Sequence, residues 1–144
     1  MLLGEHEHTI DDKNRVTLPA KFRPVFADGV ILTRGYEGCV EAYAPRDFTE
    51  RVERRLDALD PLSSEARAVR RFTFSGASDE ALDKQGRVTI PPALVRHAKL
   101  EREIVVAGVH DHVEIWDRAA WRAQLAALEG SAPDVAERLA AQRV

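Results

Sequence analysis

Residues 10–19 read IDDKNRVTLP and residues 82–91 read LDKQGRVTIP. At an offset of 72, Asp11 falls on Asp83, Arg15 on Arg87, Val16 on Val88, Thr17 on Thr89 and Pro19 on Pro91. Self-similarity at a fixed period marks a repeat architecture and decides the fold before any single element does. A second block matches after one inserted residue: at offset 73, VILTRGYEGCVEAYAPRDF from Val30 lies over EIVVAGVHDHVEIWDRAAW from Glu103. Gly35 then pairs with Gly108, Val40 with Val113, Glu41 with Glu114, Tyr43 with Trp116 and Phe48 with Trp121. The copies span residues 5–47 and 76–119, with a helical connector over 48–75 and a C-terminal helix and tail over 120–144.

Each copy predicts the same series: a strand, a tight charged turn, a short strand ending at proline, one or two helical turns, and a β-hairpin. The runs Val30-Ile31-Leu32 and Ile104-Val105-Val106 are short and β-branched, which suits buried strands. Glu37-Gly38 and His110-Asp111 supply the reversals. Pro19 and Pro91-Pro92 stand where a helix begins, because proline at the first helical position loses no intrahelical hydrogen bond.

Between the copies, Phe48, Val52, Leu56 and Leu59 follow the helical period, opposite Glu50, Arg51, Glu53 and Arg54. Ser63 or Ser64 can cap a second helix running to about Phe74 and stopped by Gly76. Asp117 can cap the helix after the second copy, whose apolar line is Trp121, Leu125 and Leu128. Residues from Gly130 onward form an Ala-rich tail, helical or frayed. The fold expected is therefore α+β: two β-rich half-domains packed as a pseudo-two-fold unit with flanking helices.

The 144 residues suffice for one ordinary domain, or for two small units that must share a core. A net charge of -3 excludes a globally basic nucleic-acid binder, so DNA contact would need local basic patches. Such patches exist. Residues 13–24 hold Lys13, Arg15, Lys21 and Arg23 without an acid, and residues 84–99 hold Lys84, Arg87, Arg96 and Lys99 without one. The single cysteine, Cys39, rules out an intrachain disulfide and fits a reducing compartment. The N-terminus MLLGEHEHT has neither a signal-peptide core nor a membrane anchor, which places the protein in the cytoplasm.

The element with chemical content is D-x-x-x-R, Asp11 to Arg15 and Asp83 to Arg87. A turn of this length brings the carboxylate within reach of the guanidinium and holds it. An oriented arginine forks onto guanine O6 and N7 or onto phosphate at reduced ordering cost. A single such pair would read as a surface salt bridge worth about 0–1 kcal/mol, but its duplication favours one site per repeat. Asn14 and Gly86, at matching positions, tolerate the left-handed backbone such a turn needs. His6 and His8 alternate on one strand, and His110 and His112 on another. They leave a metal enzyme as the remote alternative, but spacing and the absence of catalytic motifs favour surface histidines, and no metal, cofactor or small-molecule substrate is expected.

The segments LGEHEHTIDDKNRVTLPAKFR, LTRGYEGCVEAY, FSGASDEALDKQGRVTIPPALVRHAKL and VEIWD together resemble the MraZ family, whose repeats are of the SpoVT/AbrB type. The resemblance covers nearly everything before residue 130. It implies a nucleoid-associated, non-enzymatic regulator that binds short, repeated, guanine-containing promoter elements upstream of the division and cell wall gene cluster, and that assembles into rings. The family's D-x-x-x-R motif falls on Asp11 and Arg15 and on Asp83 and Arg87. Together with the basic patches, this makes Arg15, Arg87, Lys13, Lys21, Arg23 and Lys84 the expected DNA contacts, with Asp11 and Asp83 orienting the arginines. Asn14 and Lys99 stand where the family favours glycine, and Pro92 follows Pro91. Another role open to such a fold is that of a ring-forming scaffold or an antitoxin-like module that binds protein. Tyr43, Trp116 and Trp121 are expected to lie partly uncovered and to drive self-association.

Overall fold

The computed structural model describes residues 1–142. Its first copy forms β1 (Leu2–Thr9), β2 (Arg15–Thr17), a 3-10 helix over Ala20–Phe26, β3 (Val30–Arg34) and β4 (Val40–Tyr43). Its second forms β5 (Ser78–Glu80), β6 (Arg87–Thr89), α4 (Pro92–Ala98), β7 (Glu103–His110) and β8 (Val113–Asp117). Between them run α1 (Pro45–Phe48), a π-helical segment (Thr49–Glu53), α2 (Arg54–Asp57) and α3 (Ser64–Ser75), and α5 (Arg118–Ala141) closes the chain.

The copies interlock rather than stand side by side. One six-stranded antiparallel sheet has the order β1-β7-β8-β4-β3-β5, and a separate two-stranded ribbon pairs β2 with β6. The first strand of each copy thus pairs with the third strand of the other, β1 on β7 and β5 on β3. Equivalent residues meet on a pseudo-two-fold axis: Val16 opposite Val88 in the ribbon, and Glu41 opposite Glu114 in the sheet.

Strand alternation sorts side chains into two layers. On one face, Val30, Leu32, Val40, Ala42, Ile104, Val106, Val113 and Ile115 join Val16, Leu18, Phe22, Val88, Ile90 and Leu94 from the ribbon and its short helices in one core. On the other face lie Tyr43 and Trp116. The sequence expectation that these two are uncovered is wrong: Tyr43 is 7% and Trp116 4% exposed. Phe48 packs edge-on against Tyr43, and Trp121 of α5 packs edge-on against Trp116. The chain's own helices cover the aromatic positions assigned to a partner, and Trp121 itself is half-buried.

Helix starts follow their caps. Ser63 accepts from the Ala66 N–H and Asp117 from the Ala120 N–H, as the spacing predicts. The connector helix begins earlier than its apolar period suggests, at Pro45, and ends at Asp57, leaving Leu59 beyond it and 40% exposed. Gly130 and Pro133 do not break α5, which continues to Ala141. Pro133 forfeits one backbone hydrogen bond on an exposed helix. Leu128 of the expected apolar line is 47% exposed. Residues 143 and 144 of the expected tail lie outside the described residues. Among those described, no helix is long and apolar enough to cross a membrane.

Candidate nucleic-acid interface

The two D-x-x-x-R turns fold alike because one carboxylate organises each. Asp11 accepts from the backbone N–H of Lys13 at 3.0 Å and of Arg15 at 2.8 Å, and its second oxygen accepts from Arg15 Nε at 2.7 Å. Asp83 repeats the pattern with the N–H groups of Gln85 and Arg87, each at 2.9 Å, and with Arg87 Nε at 2.7 Å. The Arg15 N–H and guanidinium hold the Asp11 carboxyl below the ordinary carboxylate range, and the Arg87 N–H and guanidinium do the same for Asp83. Both aspartates are therefore ionised at neutral pH.

The turns close through left-handed residues, Asn14 at φ 58° and Gly86 at φ 75°, as their residue types suggest. Each left-handed carbonyl is then strapped to the other copy: Leu18 N–H donates to Gly86 O at 2.9 Å and Ile90 N–H to Asn14 O at 2.7 Å. The turns are fixed relative to each other by backbone hydrogen bonds.

The ribbon register puts Arg15 opposite Thr89 and Thr17 opposite Arg87. With a period of two, these four residues share one face, while Val16 and Val88 turn the other way and are 0% exposed. Both arginines consequently point outward from one two-fold ribbon, with side chains 27% and 28% exposed. Only the Nε atoms are engaged; among the described residues no protein acceptor meets the terminal guanidinium nitrogens. Thr17 and Thr89 share this face but were not singled out from the sequence. The period-two alternation around Val16 and Val88 is the signal that finds them.

The lysines divide by position. Lys13 and Lys84 are exposed on the turns, and Lys21 is exposed on the 3-10 helix, its Nζ 5.6 Å from the Phe22 ring centroid. Arg23 is more committed: its Nε donates to Leu18 O at 3.0 Å, and its side chain lies against Gly86. A Cβ at Gly86 would collide with that side chain. Gly86→Ala combines this collision with a left-handed backbone and is expected to cost about 1–2 kcal/mol in a denaturant midpoint measurement. Asn14→Gly, which removes a Cβ from the same conformation, is expected to change stability by less than about 1 kcal/mol.

His6 and His8 do not converge with His110 and His112. His8 pairs opposite Ile104 at one end of β7, whereas His110 lies opposite Leu2 at the other. His112 turns instead toward Glu114 and Asp111.

Residues 1–72, and again 73–143, match the sequence family described as "MraZ protein, putative antitoxin-like". This chain belongs to the MraZ family. A relative from Roseiflexus castenholzii, named "Transcriptional regulator MraZ", is 43% identical over 143 residues, covering 99% of each chain. One of the same name from Salinispora arenicola is 46% identical over 137 residues, covering 95% of this chain and 96% of its own. A third, from Thermomicrobium roseum, is 42% identical over 140 residues, covering 97% of this chain and 98% of its own. These MraZ relatives are named for regulation and not for catalysis, and the double family match agrees with the repeat seen in both sequence and topology.

Proposed function

We propose that this chain is a sequence-specific DNA-binding transcriptional regulator that reads duplex DNA with the paired arginine turns of its β2–β6 ribbon. One observation carries this: two arginines, each clamped through Nε by its own aspartate, face the same way from one two-fold ribbon. The major groove admits a two-stranded ribbon, and an arginine held in advance presents its remaining nitrogens to guanine O6 and N7. The two-fold relation suits guanines placed on opposite strands within one element; short repeated elements of that kind are here assigned to the promoter of the division and cell wall gene cluster. Exposed Lys13, Lys21 and Lys84 supply phosphate contacts. Closed rings of this chain, bound at the nucleoid, would let several ribbons engage successive repeats. The exposed pair Leu3–Val109 at the sheet edge and Leu128 and Leu139 on α5 offer apolar surface for assembly.

A mobility-shift titration on the DNA upstream of the gene, against scrambled DNA of equal length, tests the proposal; equal affinity for both would defeat it. Lys21→Ala is expected to weaken operator and random DNA alike and to reduce the salt dependence of log K by about one unit per engaged contact. A second role, capture of another protein in the manner of an antitoxin, is favoured only by the exposed leucines of α5. Operator binding that survives removal of residues 128–144 would separate that role from the ribbon.

A further inference from the structure

The face of the sheet opposite the ribbon carries an arrangement that DNA binding does not use. Glu41 and Glu114 are directly opposed on β4 and β8, at the pseudo-two-fold axis, with side chains each only 18% exposed. Like charges directly opposite each other in a ladder are destabilising, and partial burial sharpens the repulsion. Such a pair calls for a cation between the carboxylates. His112, in the β7–β8 hairpin, brings Nε2 to 3.1 Å from Glu114 Oε2 and 3.8 Å from Glu41 Oε2.

The remaining atoms of the three residues are already held from outside. His112 Nδ1 meets Asp111 Oδ1 at 2.7 Å, and Asp111 in turn faces Arg51 Nε at 3.5 Å. Glu114 Oε1 accepts from Trp116 Nε1 at 3.0 Å, and Glu41 Oε1 accepts from Tyr43 OH at 3.4 Å. Inside the group only the His112 Nε2–Glu114 Oε2 hydrogen bond remains, and one ligand atom from each of the three residues lies within 4.8 Å of the others. A tetrahedral ion about 2 Å from each ligand sets neighbouring ligand atoms roughly 3.3 Å apart. A carboxylate on the far nitrogen of the histidine is the usual outer support of a metal-binding imidazole. A cavity of about 260 Å³ reaches Glu41 and Tyr43 from solvent.

We propose that Glu41, His112 and Glu114 form a binding site for one divalent transition ion of the zinc class, the fourth position being left to water. One nitrogen and two carboxylate oxygens suit zinc, and zinc precedes manganese and iron(II) in affinity for such a set. A proton on His112 offsets one carboxylate charge; a divalent ion offsets both. The ligands come from both copies, so the bound ion ties β4 of the first to β8 of the second. Expecting no metal from the sequence rested on counting histidines, whereas two of the three ligands are the glutamates of the repeat.

The test uses the full chain, stripped with chelator and titrated with zinc chloride by calorimetry, with melting temperature and tryptophan fluorescence read in parallel. The chain has two tryptophans, and Trp116 touches a ligand directly. One zinc per chain, a melting temperature raised by several degrees and a change in fluorescence are expected. Glu41→Gln and Glu114→Gln keep side-chain shape and should each abolish these responses, and Asp111→Asn should weaken zinc binding by about 10–100-fold. Circular dichroism confirms that each variant is folded, and if one is not, the other glutamate variant decides. No heat, shift or fluorescence change at about 100 μM zinc, a proton-only cluster, would overturn the proposal. So would zinc binding retained by both glutamate variants or lost in His8→Gln. Arg15→Ala should bind zinc as wild type does, which separates this site from the ribbon.

Discussion

Arg15→Ala is expected to weaken binding to the operator by about 1–3 kcal/mol per engaged site, roughly 5- to 150-fold, while leaving thermal stability nearly unchanged. The guanidinium lies on the outward face of the ribbon and, among the described residues, pairs only with Asp11, so removing it uncovers no core residue. Arg87→Ala should act likewise, because the register places it on the same face at the symmetry-related position. Asp11→Ala keeps the positive charge but frees the guanidinium, so affinity for random DNA should persist while discrimination between operator and scrambled DNA falls. Competition binding on the two DNAs measures this. If Arg15→Ala and Arg87→Ala both bound the operator like wild type and both melted several degrees lower, the turns would be structural salt bridges. The pH dependence follows from the sign of the aspartate shifts. A carboxyl held below its ordinary value stabilises the turn above that value and loses the benefit only as pH falls through the lower, folded one. The turns should therefore contribute no change in operator binding between about pH 5.5 and 8, and should fail only in acid.

The turns were legible in the sequence because everything that shapes them is local. Asp11, Asn14 and Arg15 lie within five residues, and the carboxylate meets donors on its own turn. The caps at Ser63 and Asp117 were legible for the same reason. What the repeat could not reveal is which strands pair. Alternation in β1 and β3 is the same whether each pairs within its copy or with the other copy, so the exchange of first strands leaves no sequence trace. The burial of Tyr43 and Trp116 was missed because it depends on where α1 and α5 lie, set by Phe48 and Trp121 across the sheet face. Leu59 was misplaced because the helix ends at Asp57, while the apolar spacing used to place it runs on past that end. The Glu41–His112–Glu114 group was invisible because its members meet only through the β4–β8 register.

Cutting the chain after residue 75 is expected to abolish the folded monomer outright. Within residues 1–75, β1 loses β7, β2 loses β6, β3 loses β5 and β4 loses β8, so every strand of the first copy forfeits a partner. Val16, Leu18, Leu32 and Val40 are 0% exposed in the intact chain and pack in one core with Val88, Ile90, Val106 and Val113 of the second copy. Uncovering each such side chain costs about 1.5–3 kcal/mol, so a handful of them exceeds the roughly 5–15 kcal/mol that holds a whole domain together. One escape remains open to the fragment. Because Val16 meets Val88 and Glu41 meets Glu114 on the axis, a second copy of the fragment can present Val16 and Glu41 at the same places. The ribbon would then pair β2 with β2, each Arg15 opposite Thr17. Circular dichroism and light scattering on residues 1–75 should thus show either an unfolded chain or a folded dimer whose stability rises with concentration. A folded monomer at micromolar concentration, melting cooperatively and independently of concentration, would mean that each copy closes its own core and that the cross-pairing of β1 with β7 is dispensable.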